Sequence, residues 1–182
     1  MPQRIALLID GSNFYFKLKD LKLNNQLLFN FLSFSNFLAQ PGTCIIRTYY
    51  IGAVKTDGTP KMTTLHAAQQ KLFKHLQSNR FQYSLGYLLK SGGRFHEKGV
   101  DVHIAVDMLT VAYENSVDKI ILVSSDTDLI PAVKRVMKLH IDVDYVGFSH
   151  MYSTALKQNC THTKLLTKDD LKPFVVTDKK KS

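Results

Sequence analysis

IILVSSDTDLIPAV, residues 120–133, decides how the rest of the chain must be arranged. Its four leading apolar residues, Ile120, Ile121, Leu122 and Val123, predict a strand buried on both faces. Ser124 and Ser125 end that strand, and two carboxylates, Asp126 and Asp128, precede a helical run. An S-x-x-D capping box from Ser125 to Asp128 would push Pro131 past the first helical turn, where its ring clashes. With Asp128 as N-cap, Pro131 falls at the third helical position, where no amide hydrogen is needed. We adopt the second reading. It leaves residues 124–127 as an exposed turn at the carboxyl end of a central strand, where open α/β sheets hold their ligands.

Outward from this stretch, strands and helices alternate. A strand at 4–9 (RIALLI) runs into the turn Asp10-Gly11-Ser12-Asn13. Helical runs at 14–23 and 27–38 stop before Pro41-Gly42. Residues 43–51, β-branched and aromatic, predict a second strand. The stripe Leu65, Ala68, Leu72, Phe73, Leu76 predicts a helix over 61–78. A third strand is expected at 81–89, then a mobile loop, Ser91-Gly92-Gly93-Arg94, leading to Lys98-Gly99. A helix over 100–114, the strand at 120, a helix to about residue 139, a strand at 141–148 and a helix at 151–158 complete a domain spanning 1–160. Residues 161–182 read as an extension packing on it, with one strand, a short helix and a disordered basic tail. Such alternation argues for a mostly parallel sheet with helices on both faces. The two most apolar strands, those beginning at Arg4 and Ile120, should be central neighbours, which brings Asp10 beside Asp126 at the switch point.

At 182 residues and 45% hydrophobic, the chain can bury one core. It has no apolar run long enough to span a bilayer, so no membrane is expected as a partner. No secretory signal is evident, and Cys44 and Cys160 are isolated, which predicts a reducing, cytoplasmic setting. The net charge of +9 is uneven: residues 1–98 hold 13 Lys+Arg against 4 Asp+Glu, whereas residues 99–182 hold 11 of each. A solvated surface can produce this imbalance; a polyanionic partner is the sharper explanation.

Asp101 is the third member of an acidic set. On its helix it shares a face with Ile104, Ala105, Met108 and Ala112. That face must pack on the sheet, so the carboxylate sits at the top of a core-facing stripe, where a charge needs a partner or a cation. Asp107 lies about 240° around and roughly 9 Å along the axis, which makes it a supporting or salt-bridging residue outside that set. Carboxylates at about 5 Å repel by about 3 kcal/mol per pair at an effective dielectric near 20, so either some are protonated or a cation sits among them. Oxygen-only ligands suit Mg²⁺ or Mn²⁺; no His or Cys cluster suggests zinc. Taken singly, each acid has an ordinary structural role as strand end, helix cap or Asx-turn. Their joint placement is what points to a site.

Strand-Asp10-Gly11-Ser12-Asn13, Lys98-Gly99-Val100-Asp101 and strand-Ser124-Ser125-Asp126-Thr127-Asp128 together resemble the NYN branch of the PIN-like nucleases, most closely its LabA-like group, over about residues 4–148. D-G-S-N alone is a weak signal; the three motifs in this order are a strong one. The resemblance implies a three-layer α/β/α Rossmann-like fold with strand order 3-2-1-4-5 and metal-dependent hydrolysis of RNA to 5′-phosphate and 3′-hydroxyl ends. It implies Asp10, Asp101, Asp126 and Asp128 as metal-binding acids and Asn13 as a polar residue positioning water or phosphate. Ser125 stands where glycine is common in the family. The expected partner is RNA, with single strands the first candidate, and a homodimer is compatible with the sequence. Lys90, Arg94 and Lys98 are placed to grip the backbone, and Ser12, Ser125 and Thr127 to contact substrate, although a solvated loop explains the three cations equally well. Tyr15, Tyr49 and Tyr50 could stack bases, though core packing is the commoner use of such residues.

Other classes fit less well. A haloacid-dehalogenase-like phosphatase needs an acid where Ser12 stands, a receiver domain needs a lysine after the last strand, and dinucleotide binding needs more glycines than Gly11. The remaining rival is an RNA- or protein-binding module whose acidic site is slow or vestigial.

Overall fold

The computed structural model describes residues 1–23, 25–92 and 94–176, with Lys90, Ser91 and Arg94 described by their backbone alone. Among the described residues, seven strands form one sheet: β1 (Arg4–Asp10), β2 (Thr43–Ala53), β3 (Gln82–Ser91), β4 (Arg94–Lys98), β5 (Lys119–Val123), β6 (Asp142–Phe148) and β7 (His162–Leu166). Their order across the sheet is β4-β3-β2-β1-β5-β6-β7, parallel throughout except for the antiparallel β3–β4 pair. This differs from the expected order 3-2-1-4-5. The expected mobile loop after residue 90 is instead the return arm of a hairpin, in which Leu88 pairs with Glu97 and Leu89 with His96. Residues 162–166 add a parallel strand at the opposite edge. The anticipated adjacency of β1 and β5 holds, with Leu8 opposite Leu122 and Ile9 opposite Val123.

Alternation along β1 explains why helices cover both faces. Ile5, Leu7 and Ile9 point into one core, with Phe14 and Leu18 of α1 (Gly11–Asp20), Phe31, Phe34 and Leu38 of α2 (Phe31–Ala39), and Leu72, Phe73 and Leu76 of α3 (Pro60–Ser78). Ala6 and Leu8 point into the other, with Ile104 and Met108 of α4 (Val100–Tyr113), Val133 and Val136 of α5 (Ile130–Met137), and Leu156 of α6 (Thr154–Asn159). Period-2 strands meeting period-3.6 helices give this α/β/α layering. Beyond β7, α7 (Lys168–Leu171) and a 3-10 turn bring Leu171 and Phe174 into the first core, where Phe174 lies 5.4 Å from Phe34.

Two glycines matter to the site. At Gly11, between β1 and α1, an added Cβ would run into the Tyr49 ring and approach the Tyr50 carbonyl to 2.6 Å. Gly99, with φ of 82°, takes the left-handed conformation that turns β4 into α4. Both residues sit at the carboxyl ends of strands, where the acidic side chains gather. Among the described residues, no helix is long and apolar enough to cross a membrane.

Candidate active site

Asp10 ends β1 and is also the N-cap of α1, so one carboxylate both caps a helix and lies at the carboxyl edge of the sheet. It is 5% exposed. Its Oδ1 accepts from the Asn13 backbone N–H at 3.0 Å, and its Oδ2 accepts from the Ser124 hydroxyl at 2.9 Å. Burial drives its pKa up to about 6; these two hydrogen bonds oppose the rise, and the charges of Glu97 and Asp101 add to it. Ser124, which follows β5, is itself buried and accepts the Asp126 N–H at 3.1 Å. One hydroxyl therefore ties the ends of β1 and β5 together.

Asp126 does not precede an exposed helix cap as the sequence suggested. Its side chain accepts from the Asp128 N–H at 2.9 Å and caps a 3-10 turn, Thr127–Leu129, after which α5 starts at Ile130. Asp128 is thus not the N-cap of α5: the intervening 3-10 turn places Pro131 in the first turn of the helix, where a missing N–H costs nothing. Nor is the whole 124–127 turn exposed, since Ser124 is buried and Ser125 and Asp126 are half-buried; only Thr127, and Asp128 after it, face solvent.

Asp101 lies in the first turn of α4, half-buried at the head of the stripe Ile104, Met108 and Ala112. Its pKa is raised first by burial, then by the charge of Asp126 and a hydrogen bond with that carboxyl, then by Glu97 and Asp128. Five acids from four elements are therefore linked electrostatically through Asp101, which feels Asp126, Glu97 and Asp128 and in turn acts on Asp10.

Glu97 escaped the sequence reading. It sits on β4, and its Oε2 accepts from the Ser12 hydroxyl at 2.9 Å and the Gly52 N–H at 2.5 Å. Ser12, expected to contact substrate, instead holds Glu97 in place. The available signal was the run Arg94-Phe95-His96-Glu97-Lys98 behind two glycines, which as a hairpin arm puts Glu97 beside the end of β2.

Of the other expected residues, Asn13 contributes its backbone N–H to Asp10, and the Ser125 Oγ is buried with no hydrogen-bond partner among the described residues. Thr127 and Lys98 are exposed. The side chains of Lys90 and Arg94, and the basic tail, lie outside the described residues. Tyr49 and Tyr50 are fully buried and cannot stack bases; Tyr15 is half-buried. Asp107 accepts from the Tyr50 hydroxyl at 2.8 Å, behind the acid set.

The all-oxygen donor set, in which Asp10 and Asp101 are raised first by burial and then by neighbouring acids, has the chemistry a hard divalent cation requires. Among the described residues, no three His, Cys, Asp or Glu side chains stand close enough together to hold a metal ion as placed. The acids gather at one edge of the sheet without closing on a single point.

A model of the NYN domain matches residues 4–166. The chain belongs to the NYN domain family. The NYN domain has a nuclease-like PIN fold, and the acid set described above occupies the carboxyl edge of its sheet. Among solved structures, this NYN chain is similar to a protein of unknown function from Vibrio parahaemolyticus, with a TM-score of 0.66, 23% identity, and 96% of this chain and 97% of that chain covered. That likeness concerns the fold alone. No curated protein matches the chain.

Proposed function

We propose that this NYN domain is a metal-dependent ribonuclease of the LabA-like group that hydrolyses RNA phosphodiester bonds, leaving a 5′-phosphate and a 3′-hydroxyl. The observation that carries the reading is the gathering of Asp10, Asp101 and Asp126 from β1, α4 and the turn after β5, with Asp10 held near pKa 6 and Asp101 raised. Buried Asp10 and half-buried Asp101 and Asp126 are relieved either by protonation or by a cation, and an all-oxygen set suits a hard cation.

Asp10, Asp101 and Asp126 would hold Mg²⁺ or Mn²⁺, with Asp128 at the rim. Such an ion supplies charge neutralisation at the phosphoryl oxygens and acidifies a bound water. The chain's own residues do the rest. Asn13 and Ser124 fix both oxygens of Asp10, and each oxygen keeps a lone pair for the cleft. Ser12 and Gly52 fix Glu97 next to this group, where its free oxygen can orient an incoming water. Exposed Lys98 and Thr127 suit phosphate contacts; Lys90, Arg94 and Ser125 are proposed for the same role from the sequence alone. The test is cleavage of single-stranded and structured RNA with and without Mn²⁺, using Asp126→Asn as the control.

One observation favours a second reading, an RNA- or protein-binding module with a slow or inactive site: the acids do not close on one point. Binding of RNA without cleavage by the metal-loaded protein would establish it.

A further inference from the structure

Beside the acid cluster lies an open cleft of about 420 Å³ with mainly apolar walls. Tyr15 and Phe16 of α1 form one wall, Leu65 and Ala68 of α3 another, and Gln26 lies between them. The large side chains here are left uncovered: Phe16 is 57% exposed and Leu65 44%.

One hydrogen-bond relay joins this cleft to Glu97, and a second ends at Gly11, the residue after Asp10. The Gly52 N–H donates to Glu97, while its carbonyl accepts from Gln69 in the cleft wall at 2.8 Å. On the other side the Tyr49 hydroxyl donates to the Gly11 carbonyl at 3.0 Å and accepts from the Gln26 Nε2 at 2.7 Å. Because Tyr49 has spent its only proton on Gly11, Gln26 must present its N–H there, which leaves its carbonyl oxygen and second N–H for an occupant. Gly11 and Ser12 line the cleft and also border the acids, so the two share a wall.

We infer that this cleft receives an unpaired nucleobase of the RNA strand, the one adjoining the phosphate held at the acid cluster. The inference rests on the ribonuclease reading for its substrate class. Three features select a base over an acyl chain or an apolar peptide. The walls offer aromatic and aliphatic faces for stacking while Gln26 offers an amide edge. The segment that builds them, residues 11–72, carries 7 Lys+Arg against 2 Asp+Glu, which favours a ligand on an anionic backbone. And the cleft opens directly beside the phosphate-handling acids.

The test uses the full chain with Ca²⁺, a hard oxygen-seeking ion that keeps phosphate at the acids, and short single-stranded RNAs carrying one abasic or one 2-aminopurine nucleotide at successive positions. We expect one position at which loss of the base weakens binding about tenfold and at which 2-aminopurine fluorescence is quenched. Ala68→Leu, at an exposed site on α3, fills the cleft without touching the core; it should lower affinity for intact RNA to the abasic level and abolish the quenching. Leu65→Ser, which strips one wall, should do the same in part. Abasic RNAs that all bind as tightly as intact RNA, an Ala68→Leu protein that binds and quenches like the wild type, or no RNA binding at all would overturn the inference. Absence of cleavage bears only on the ribonuclease reading, and cleavage without base-dependent affinity overturns only the cleft.

Discussion

The Ser124 hydroxyl donates to Asp10 Oδ2 across 2.9 Å, joining residues 114 positions apart at the ends of two adjacent strands. The bond favours the charged form of Asp10, and Ser124 also accepts the Asp126 N–H, so one side chain orders two of the acids. Ser124→Ala should therefore raise the Asp10 pKa above its present value of about 6 and cost about 1–3 kcal/mol of stability. NMR titration of the Asp10 carboxyl carbon, paired with chemical denaturation, checks both outcomes.

The same carboxylate sets a pH dependence in the metal-free protein. Its folded pKa, about 6, lies above the ordinary 3.8, so between those values the folded state binds more protons than the unfolded one. Stability then falls as pH rises from about 4 to about 6 and stays low above that, by on the order of 3 kcal/mol for this group. Asp10→Asn should flatten the decline and raise the melting temperature at pH 7 to 8 without metal. Thermal melts across pH 4 to 8 in chelator measure it.

Glu97→Gln keeps an oxygen to accept from Ser12 and Gly52 but removes a charge facing Asp10 and Asp101. Both of those pKa values should fall and the fold should survive, while cleavage drops about 10²-fold or more if Glu97 orients the water. Normal cleavage by this variant would confine Glu97 to holding the hairpin.

What sequence could and could not show follows from how each feature is encoded. Asp10 and Asp126 were legible because continuously apolar strands must be central, and central strands bring their ends together. Asp101 was legible from the helical stripe beneath it. Glu97 was not, because β4 is a short polar edge strand whose existence depends on pairing with β3 rather than on its own pattern. The sheet order differed for the same reason, since edge strands carry the weakest local signal. Asp128 was read as a helix cap because a 3-10 turn between a strand and a helix leaves no periodicity to detect.

The surplus of basic residues in 1–98 should supply nonspecific affinity for RNA. Binding should weaken with salt at a log–log slope of roughly −0.7 per phosphate neutralised on a single strand. Neutralising Lys90, Arg94 and Lys98 together should reduce that slope and leave the melting temperature unchanged. A flat salt response in fluorescence anisotropy would make the charge a matter of solubility alone.

The most direct test of the proposed chemistry is the identity of the cleaved ends. RNA incubated with the Mn²⁺-loaded protein should yield 5′-phosphate and 3′-hydroxyl termini, cleavage should stop with chelator, and Asp10→Asn should abolish it while RNA binding survives. A 2′,3′-cyclic phosphate, or undiminished cleavage by Asp10→Asn, would contradict hydrolysis at this acid cluster.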